Sequence, residues 1–531
     1  MTALSPLLVG ATDLELWANR RDAQGLLPML VRRLVMAAGN GVEHISFRAE
    51  EGIALPGWDG IVNARGTGPF VPAGFSGWEA GTGHDPARKA EDDYTKRTTE
   101  PLDLPQSETT FVFVTPRRWP AKQDWVDRKK REGIWRDVRV IDADDLNTWL
   151  ECAPAVHLWL SALLGKPLSG TTDLETFWND WSNVTAPPLP PEFVLATRES
   201  QRDTLYRQVS RPRVVVELRA ETSQEALAFF GAMVQRLPEP DRDAILGRTI
   251  VVDDPRQWSY FSTPSADRSL ILVPTFSERS LIGAAAGAGH TVVVLLGRSE
   301  PASDGTIEIP LPAREAVLNQ LKSLGLSDDR CRELASVARN SLVAVRRLLA
   351  VSPASLIPEW AGPDVARSLL PALLAGRWND QSPGDQAILA ELAGKPYDEY
   401  RQILETWAAK PDPPVRLIGP LWMISSKEDA WRLLGGRLST QDLLVFAAMA
   451  QKVLGEVDPK YELAAGEQWL AALRNKVSVA RHMGPAADIF ARVMGPPNRQ
   501  GHGARVAGDR PWIARVMGPV DRQGHGATQL T

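Results

Sequence analysis

The sequence predicts an α/β protein in three stages: a mixed sheet at the N-terminus, a second α/β unit around a parallel sheet, and an all-helical C-terminal region. Three patterns predict it. Short β-like runs alternate with helical stretches through the first 165 residues. Apolar, β-branched runs alternate with helices between 213 and 297. From 312 to 470 helical periodicity dominates. The 531 residues, 44% hydrophobic and 24% charged, allow about three domains of ordinary globular composition.

The elements follow in order. Leu26, Leu27, Leu30, Leu34 and Val35 recur at helical spacing within 13–38, where Asp13 can cap and Gly39-Asn40-Gly41 stops the helix. Pro28 predicts a break inside it, because proline removes an amide donor. β-like runs follow at 44–49, 60–64 and 76–80. A helix is expected at 85–97, with Asp85 as N-cap and Pro86 at its first position. Then come a strand at 110–115, a helix at 121–132, a strand at 137–142 and helix over 143–165. This first domain spans 1–166. A Pro-rich stretch, 167–192, containing "TAPPLPPE", reads as a linker. The second α/β domain, 193–311, has strands at 213–220, 248–254, 269–274 and 291–297. Their apolar, β-branched character predicts parallel pairing. Helical segments fill 312–360 and 361–480, with one short strand near 420–425. In the tail, 481–531, "ARVMGPPNRQGHGA" (491–504) recurs as "ARVMGPVDRQGHGA" (514–527), which reads as a disordered segment. His502 and His525 as shared metal ligands are the weaker reading.

Composition excludes several classes. No apolar run approaches the ~20 residues that span a bilayer, and the N-terminus lacks the basic region of a secretory leader. Two cysteines, Cys152 and Cys331, without CxxC spacing, give neither a cysteine zinc site nor a disulfide framework. A cytoplasmic protein without membrane partners is expected. The net charge of −5 carries no global nucleic-acid signal, so any basic surface is local. The 18 tryptophans read mainly as core residues.

One device occurs twice. Gly57-Trp58-Asp59-Gly60 is followed by Gly77-Trp78-Glu79-Ala80-Gly81. If 60–64 and 76–80 are neighbouring strands, Asp59 and Glu79 sit at one end of the sheet. Paired carboxylates form an oxygen-rich site of the kind Mg²⁺ prefers. Such an ion activates water and stabilises charge on a scissile phosphate. The glycines would let the strand ends bend around it, and the tryptophans would seat the strands in the core. Taken singly, an Asp or Glu beside glycine is more often a turn residue.

The order helix, strand, strand with Asp59, strand with Glu79, helix, strand, helix, strand resembles the PD-(D/E)XK, or restriction-endonuclease-like, nuclease superfamily over roughly 13–165. The resemblance implies a restriction-endonuclease-like mixed sheet, metal ligands Asp59 and Glu79, and a cofactor of Mg²⁺ or Mn²⁺. It also implies a lysine two residues after Glu79, where this chain has Gly81. Some members carry that lysine on the following helix, which here offers Lys89, the first choice, and Lys96. The same helix carries Glu91, Asp92, Tyr94 and Arg97. Glu15 would be a third acid if the first helix supplies one.

Residues 117–139 hold nine Lys or Arg against four Asp or Glu, interleaved with Trp119, Trp125 and Trp135. Arg117, Arg118, Lys122, Lys129 and Lys130 are candidate phosphate contacts, and the indoles could stack on unpaired bases. The equal alternative is an amphipathic helix with tryptophans inside and solvated charges.

In the second domain, "ELRAETSQEALAFF" (217–230) stands where a P-loop would be, with no glycine or lysine. Asp253 and Asp254 resemble a Walker B end, with capping or turn roles the commoner reading. Residues 314–349 resemble the lid of AAA+ and STAND-type NTPases, placing Arg346 and Arg347 where that family has basic residues near nucleotide. Residues 385–435 resemble a winged helix by analogy. The resemblance implies a degenerate NTPase-like module, with ATP not expected to bind. The layout resembles bacterial antiviral defence proteins. The expected function is a metal-dependent DNA endonuclease effector under a regulatory module, with a homo-oligomer or a protein trigger left open. The alternative is a non-catalytic scaffold or sensor built from both folds.

Overall fold

A computed structural model describes residues 8–455, apart from 40, 48–56, 67, 264–268, 277–278, 353–355 and 436. The repeated tail, His502 and His525 lie outside the described residues.

The N-terminal unit begins with α1 (Ala11–Trp17) and α2 (Ala23–Ala37). The expected break falls at 18–22 rather than at Pro28, which sits inside α2. There Leu27, Leu30, Leu34 and Val35 bury one face and outweigh the lost bond. Then come β1 (Val42–Phe47), β2 (Gly60–Ala64), β3 (Gly74–Ala80), α3 (Pro86–Thr99), β4 (Thr110–Val114), α4 (Lys122–Glu132) and β5 (Asp137–Ile141). α5 (Ala143–Cys152) and α6 (Pro154–Leu163) complete the unit, split by Pro154. The sheet runs β1-β2-β3-β4-β5. β1, β2 and β3 pair antiparallel, while β4 and β5 add parallel, giving the expected mixed sheet. Trp78 packs with α1, α2 and α5 on one face, and Trp58 with Phe111 and Trp135 on the other.

The stretch read as a linker is folded. It carries β6 (Thr171–Asp173) and α7 (Leu174–Asn183), followed by α8 (Pro191–Leu195). Trp178 and Trp181 of α7 stack at 5.5 Å and are buried in the core of the second unit. Burying two indoles outweighs the prolines' signal for an extended chain. After α9 (Glu199–Val209) come β7 (Val215–Arg219), α10 (Ser223–Gln235), α11 (Glu239–Leu246), β8 (Thr249–Val252), α12 (Pro255–Phe261), β9 (Ile271–Pro274), α13 (Arg279–Gly287), β10 (Thr291–Leu296) and β11 (Ile307–Glu308). The sheet order is β11-β7-β10-β9-β8-β6. The strands from β7 to β11 are parallel as expected, but β6 joins β8 antiparallel, so this sheet is also mixed. α14 (Arg314–Ser323), α15 (Asp328–Ala338) and α16 (Leu342–Leu349) then pack on the same core.

The C-terminal unit is mainly helical. It contains α17 (Pro363–Ala375), β12 (Arg377–Asn379), α18 (Pro383–Ala393), α19 (Tyr397–Ala408), β13 (Val415–Ile418), β14 (Leu421–Ile424), α20 (Lys427–Gly435) and α21 (Thr440–Gly455). The strand expected near 420–425 is β14, the centre of a small antiparallel sheet, β12-β14-β13. Trp378 and Trp422 stack within it at 6.0 Å. Among the described residues no helix is long and apolar enough to cross a membrane, and both cysteines are free thiols.

Candidate active site

The β2–β3 register builds the site. Gly60 pairs with Trp78, which places Asp59 across from Glu79. Asp59 Oδ2 accepts a hydrogen bond from the Ala80 amide at 2.8 Å. Side chains alternate along a strand, so Trp78 enters one core while Glu79 turns to the face covered by α3. There the buried Glu79 carboxylate pairs with the buried guanidinium of Arg97, which also donates to the Gly57 carbonyl. Arg97 lies over the Trp58 ring, 5.0 Å from its centroid. Burial and the neighbouring Asp59 push the Glu79 carboxyl up to about 8, against the opposing pull of Arg97.

Gly60 and Gly77 of the doubled device serve as seats rather than bends, whereas Gly57 takes a positive φ of 143°. A Cβ on Gly60 would fall 2.2 Å from the Phe47 ring, and one on Gly77 would fall 2.7 Å from the Trp58 indole. Neither has positive φ. A Cβ on Gly81 would come within 2.9 Å of Lys89 Cγ and 3.1 Å of the Phe113 ring. The missing side chain at 81 is therefore the space that the stem of Lys89 crosses.

α3 brings three side chains to this end of the sheet at i, i+4 and i+8: Lys89, Asp93 and Arg97. Lys89 Nζ donates to Asp93 Oδ1 at 2.6 Å. Asp93 is buried and raised above the usual carboxylate range, by burial first and with Asp59 adding to it. Lys96, the second candidate lysine, is exposed. Asp93 and Arg97 had no distinguishing signal in the sequence beyond their fourfold spacing from Lys89. Glu15 is not part of the cluster. It pairs with Arg118 at 2.7 Å on the surface.

The candidate phosphate contacts are mostly engaged within the fold. Arg118 pairs with Glu15 and Asp144, Lys122 with Asp142 and Asp145, Lys129 with Glu91 and Glu132, and Lys130 with Asp137. Arg117 donates to the Thr82 and Glu15 carbonyls and to Asn19 Oδ1, tying α1 to the turn after β3. Trp119, Trp125 and Trp135 are buried with Tyr94 and Phe111. Base stacking by these indoles is therefore excluded in this fold, because the aromatic layer is what joins α3 and α4 to the sheet.

Among the described residues no three His, Cys, Asp or Glu side chains converge into a group that could hold a metal ion. What the site offers a cation is Asp59 and Glu79, with Asp93 Oδ2 buried and unpartnered nearby. One or two carboxylates with retained waters is the donor set that suits Mg²⁺.

In the second unit, a cleft of about 560 Å³ opens at the carboxyl ends of β8, β9 and β10. Ser223, Gln224, Asp253, Thr275, Lys410 and Pro411 are among its lining residues. Asp254 caps α12, accepting from the Arg256 amide at 2.8 Å. Thr222 caps α10 by accepting from Glu225 at 3.0 Å. The Pro411 carbonyl, from the C-terminal unit, accepts from the Gln224 amide and the Ser223 hydroxyl, both at 3.4 Å. Arg346 donates to the Trp181 carbonyl at 2.7 Å, and Arg347 pairs with Asp412 and Asp429. Both arginines serve packing inside and between units. No protein-family model matches this chain and no curated protein matches it.

Proposed function

We propose that residues 1–166 are a metal-dependent DNA endonuclease effector, governed by an NTPase-like module in a protein of antiviral defence. One observation carries the reading: Lys89 crosses the strand end at Gly81, beside Asp59 and Glu79. A lysine from the helix thus stands where the strand itself has none. Asp59 and Glu79 would hold Mg²⁺ or Mn²⁺, which supplies charge neutralisation and an activated water when bound. The Ala80 amide fixes the Asp59 carboxylate. Lys89, with its side chain 45% exposed, presents an ammonium toward solvent, where a phosphate can meet it. Arg117 is the candidate backbone contact nearest this edge, through its bond to Thr82.

The test is plasmid nicking by the full chain with Mg²⁺ or Mn²⁺, comparing wild type with Asp59→Ala, Glu79→Gln and Lys89→Ala. Metal-dependent nicking lost in all three supports the proposal. A folded wild type that never nicks under any activating condition sinks it. ATP has no role in the proposal, since the first turn of α10 bonds to Pro411. Calorimetry should detect no ATP binding, and micromolar affinity would overturn that part.

Arg97 favours a second reading. Its guanidinium already compensates Glu79, as it would in a non-catalytic scaffold that retains only the fold. Full nicking activity in Arg97→Lys would disfavour this alternative.

A further inference from the structure

The positive charge around α4 is spent inside the fold, since Arg118, Lys122, Lys129 and Lys130 all end in ion pairs. Unpaired cations gather elsewhere. Arg20 and Arg21 are exposed in the turn between α1 and α2, and among the described residues neither forms an ion pair. Arg117 follows β4, and its guanidinium bonds only to neutral groups: the Thr82 and Glu15 carbonyls and Asn19 Oδ1. Those bonds fix where the α1–α2 turn lies. Asn19 adjoins Arg20, and Thr82 adjoins Gly81, which the stem of Lys89 crosses. Lys89, Arg117, Arg20 and Arg21 therefore follow one another along the end of the sheet where β3 and β4 finish. Arg118 takes Glu15 and Asp144. Asp22 and Asp85, the cap of α3, are the remaining acids of the two turns.

We infer that this row of cations is a track for the sugar-phosphate backbone of duplex DNA, leading it past Lys89. The nuclease reading above supplies the identity of the polyanion, but the contact itself needs no metal. A duplex carries one negative charge per about 1.7 Å of its axis, so guanidiniums along an edge meet phosphates whatever the sequence. A guanidinium can grip two phosphate oxygens at once and keeps its charge at any working pH. A single strand fits less well. It binds through exposed aromatic faces that stack on its bases, and Trp119, Trp125 and Trp135 are buried. The chain's net charge of −5 gives no general attraction, so contact depends on a local row of this kind.

Fluorescence anisotropy of a labelled short duplex, with the full-length protein in EDTA, reads binding apart from cleavage. The double variant Arg20→Gln, Arg21→Gln should weaken binding on every sequence and flatten the slope of log affinity against log salt by about 2. The conservative pair Arg20→Lys, Arg21→Lys should keep the slope, because charge and not the shape of the turn carries the contact. Arg65→Gln is the control. Arg65 follows β2 at the opposite end of the sheet, with its side chain 80% exposed, and its loss should change nothing. If the Gln pair does not fold by circular dichroism, Arg20→Gln decides alone, with a slope change of about 1. An unchanged slope, an equal loss in Arg65→Gln, or tighter binding of a single strand of the same length overturns the track. So does binding to phosphatidylserine vesicles that is as sensitive to the Gln pair as DNA binding is. Duplex binding with the expected slope change but no nicking keeps the track and sinks the nuclease reading. Nicking with an unchanged slope does the reverse.

Discussion

Glu79 responds to pH in a definite direction. Its carboxyl is raised from 4.5 to about 8 in the folded protein, so the native state holds a proton that the unfolded chain has released. That contribution is complete below pH 4.5 and is lost as pH rises toward 8. In EDTA, the melting temperature of the N-terminal unit should fall between pH 5 and 8, and Glu79→Gln should flatten the fall. A divalent cation should restore more stability at pH 8 than at pH 6, since it binds the ionised form. Gly81 yields the second residue-scale prediction. Gly81→Ala pushes on the Lys89 stem and the Phe113 ring, so nicking should drop by about 10- to 100-fold with a stability loss of only ~1–3 kcal/mol. A fully active Gly81→Ala would show that the lysine's path is unimportant. Asp59 and Glu79 were legible in the sequence because a hairpin pairing alone opposes them. Asp93 and Arg97 were not, because α3 has charges on every side, including Arg88, Glu91, Asp92 and Lys96. Its rotation is set by tertiary packing, with Ala90 and Tyr94 buried against the sheet.

At the scale of elements, the antiparallel strands β1, β2 and β3 are held together by aromatic rings laid over glycines. Gly77→Ala requires the Trp58 indole to move, and should cost about 1–3 kcal/mol in urea unfolding of the N-terminal unit. A neutral result would show that Trp58 has room to retreat. The alternation of helix with strand was readable from periodicity and β-branched runs, whereas the order of strands within each sheet was not. Several elements were not readable either, among them β6, α7, β11, β12 and β13. β6 is three residues long and its partner β8 lies about 80 positions away, so no local pattern marks it. The basic and aromatic stretch around α4 offered two equal and compatible meanings, and burial settles only the place of its indoles. Its indoles face inward and its cations meet Asp and Glu from neighbouring elements.

Across the whole molecule, the units meet through buried charge. Arg32 forms ion pairs with Glu239 and Asp243 at 2.5 and 2.6 Å, and Arg33 with Glu175 at 2.6 Å, joining α2 to the second unit. Glu221 pairs with both Arg298 and Arg416, and the Leu417 amide donates to Ser299 at 3.1 Å, joining the second unit to the third. Arg347→Ala strips Asp412 of its ion pair and leaves Asp429 with Arg432 alone, and should cost about 3–5 kcal/mol. Hydrogen exchange should then quicken at Gln224 and in the C-terminal unit, with β2 and β3 unchanged. Uniform exchange across all three units would show that they open together. None of these pairs was visible in the sequence, since each links residues whose proximity only the tertiary arrangement creates. The seat of Pro411 on α10 has a further meaning. A carbonyl on the same chain is a tethered competitor whose local concentration never dilutes. Any soluble rival for the front of α10 meets only the fraction of molecules in which that segment has lifted away. Its apparent affinity would therefore measure the closing equilibrium between two units as much as its own fit.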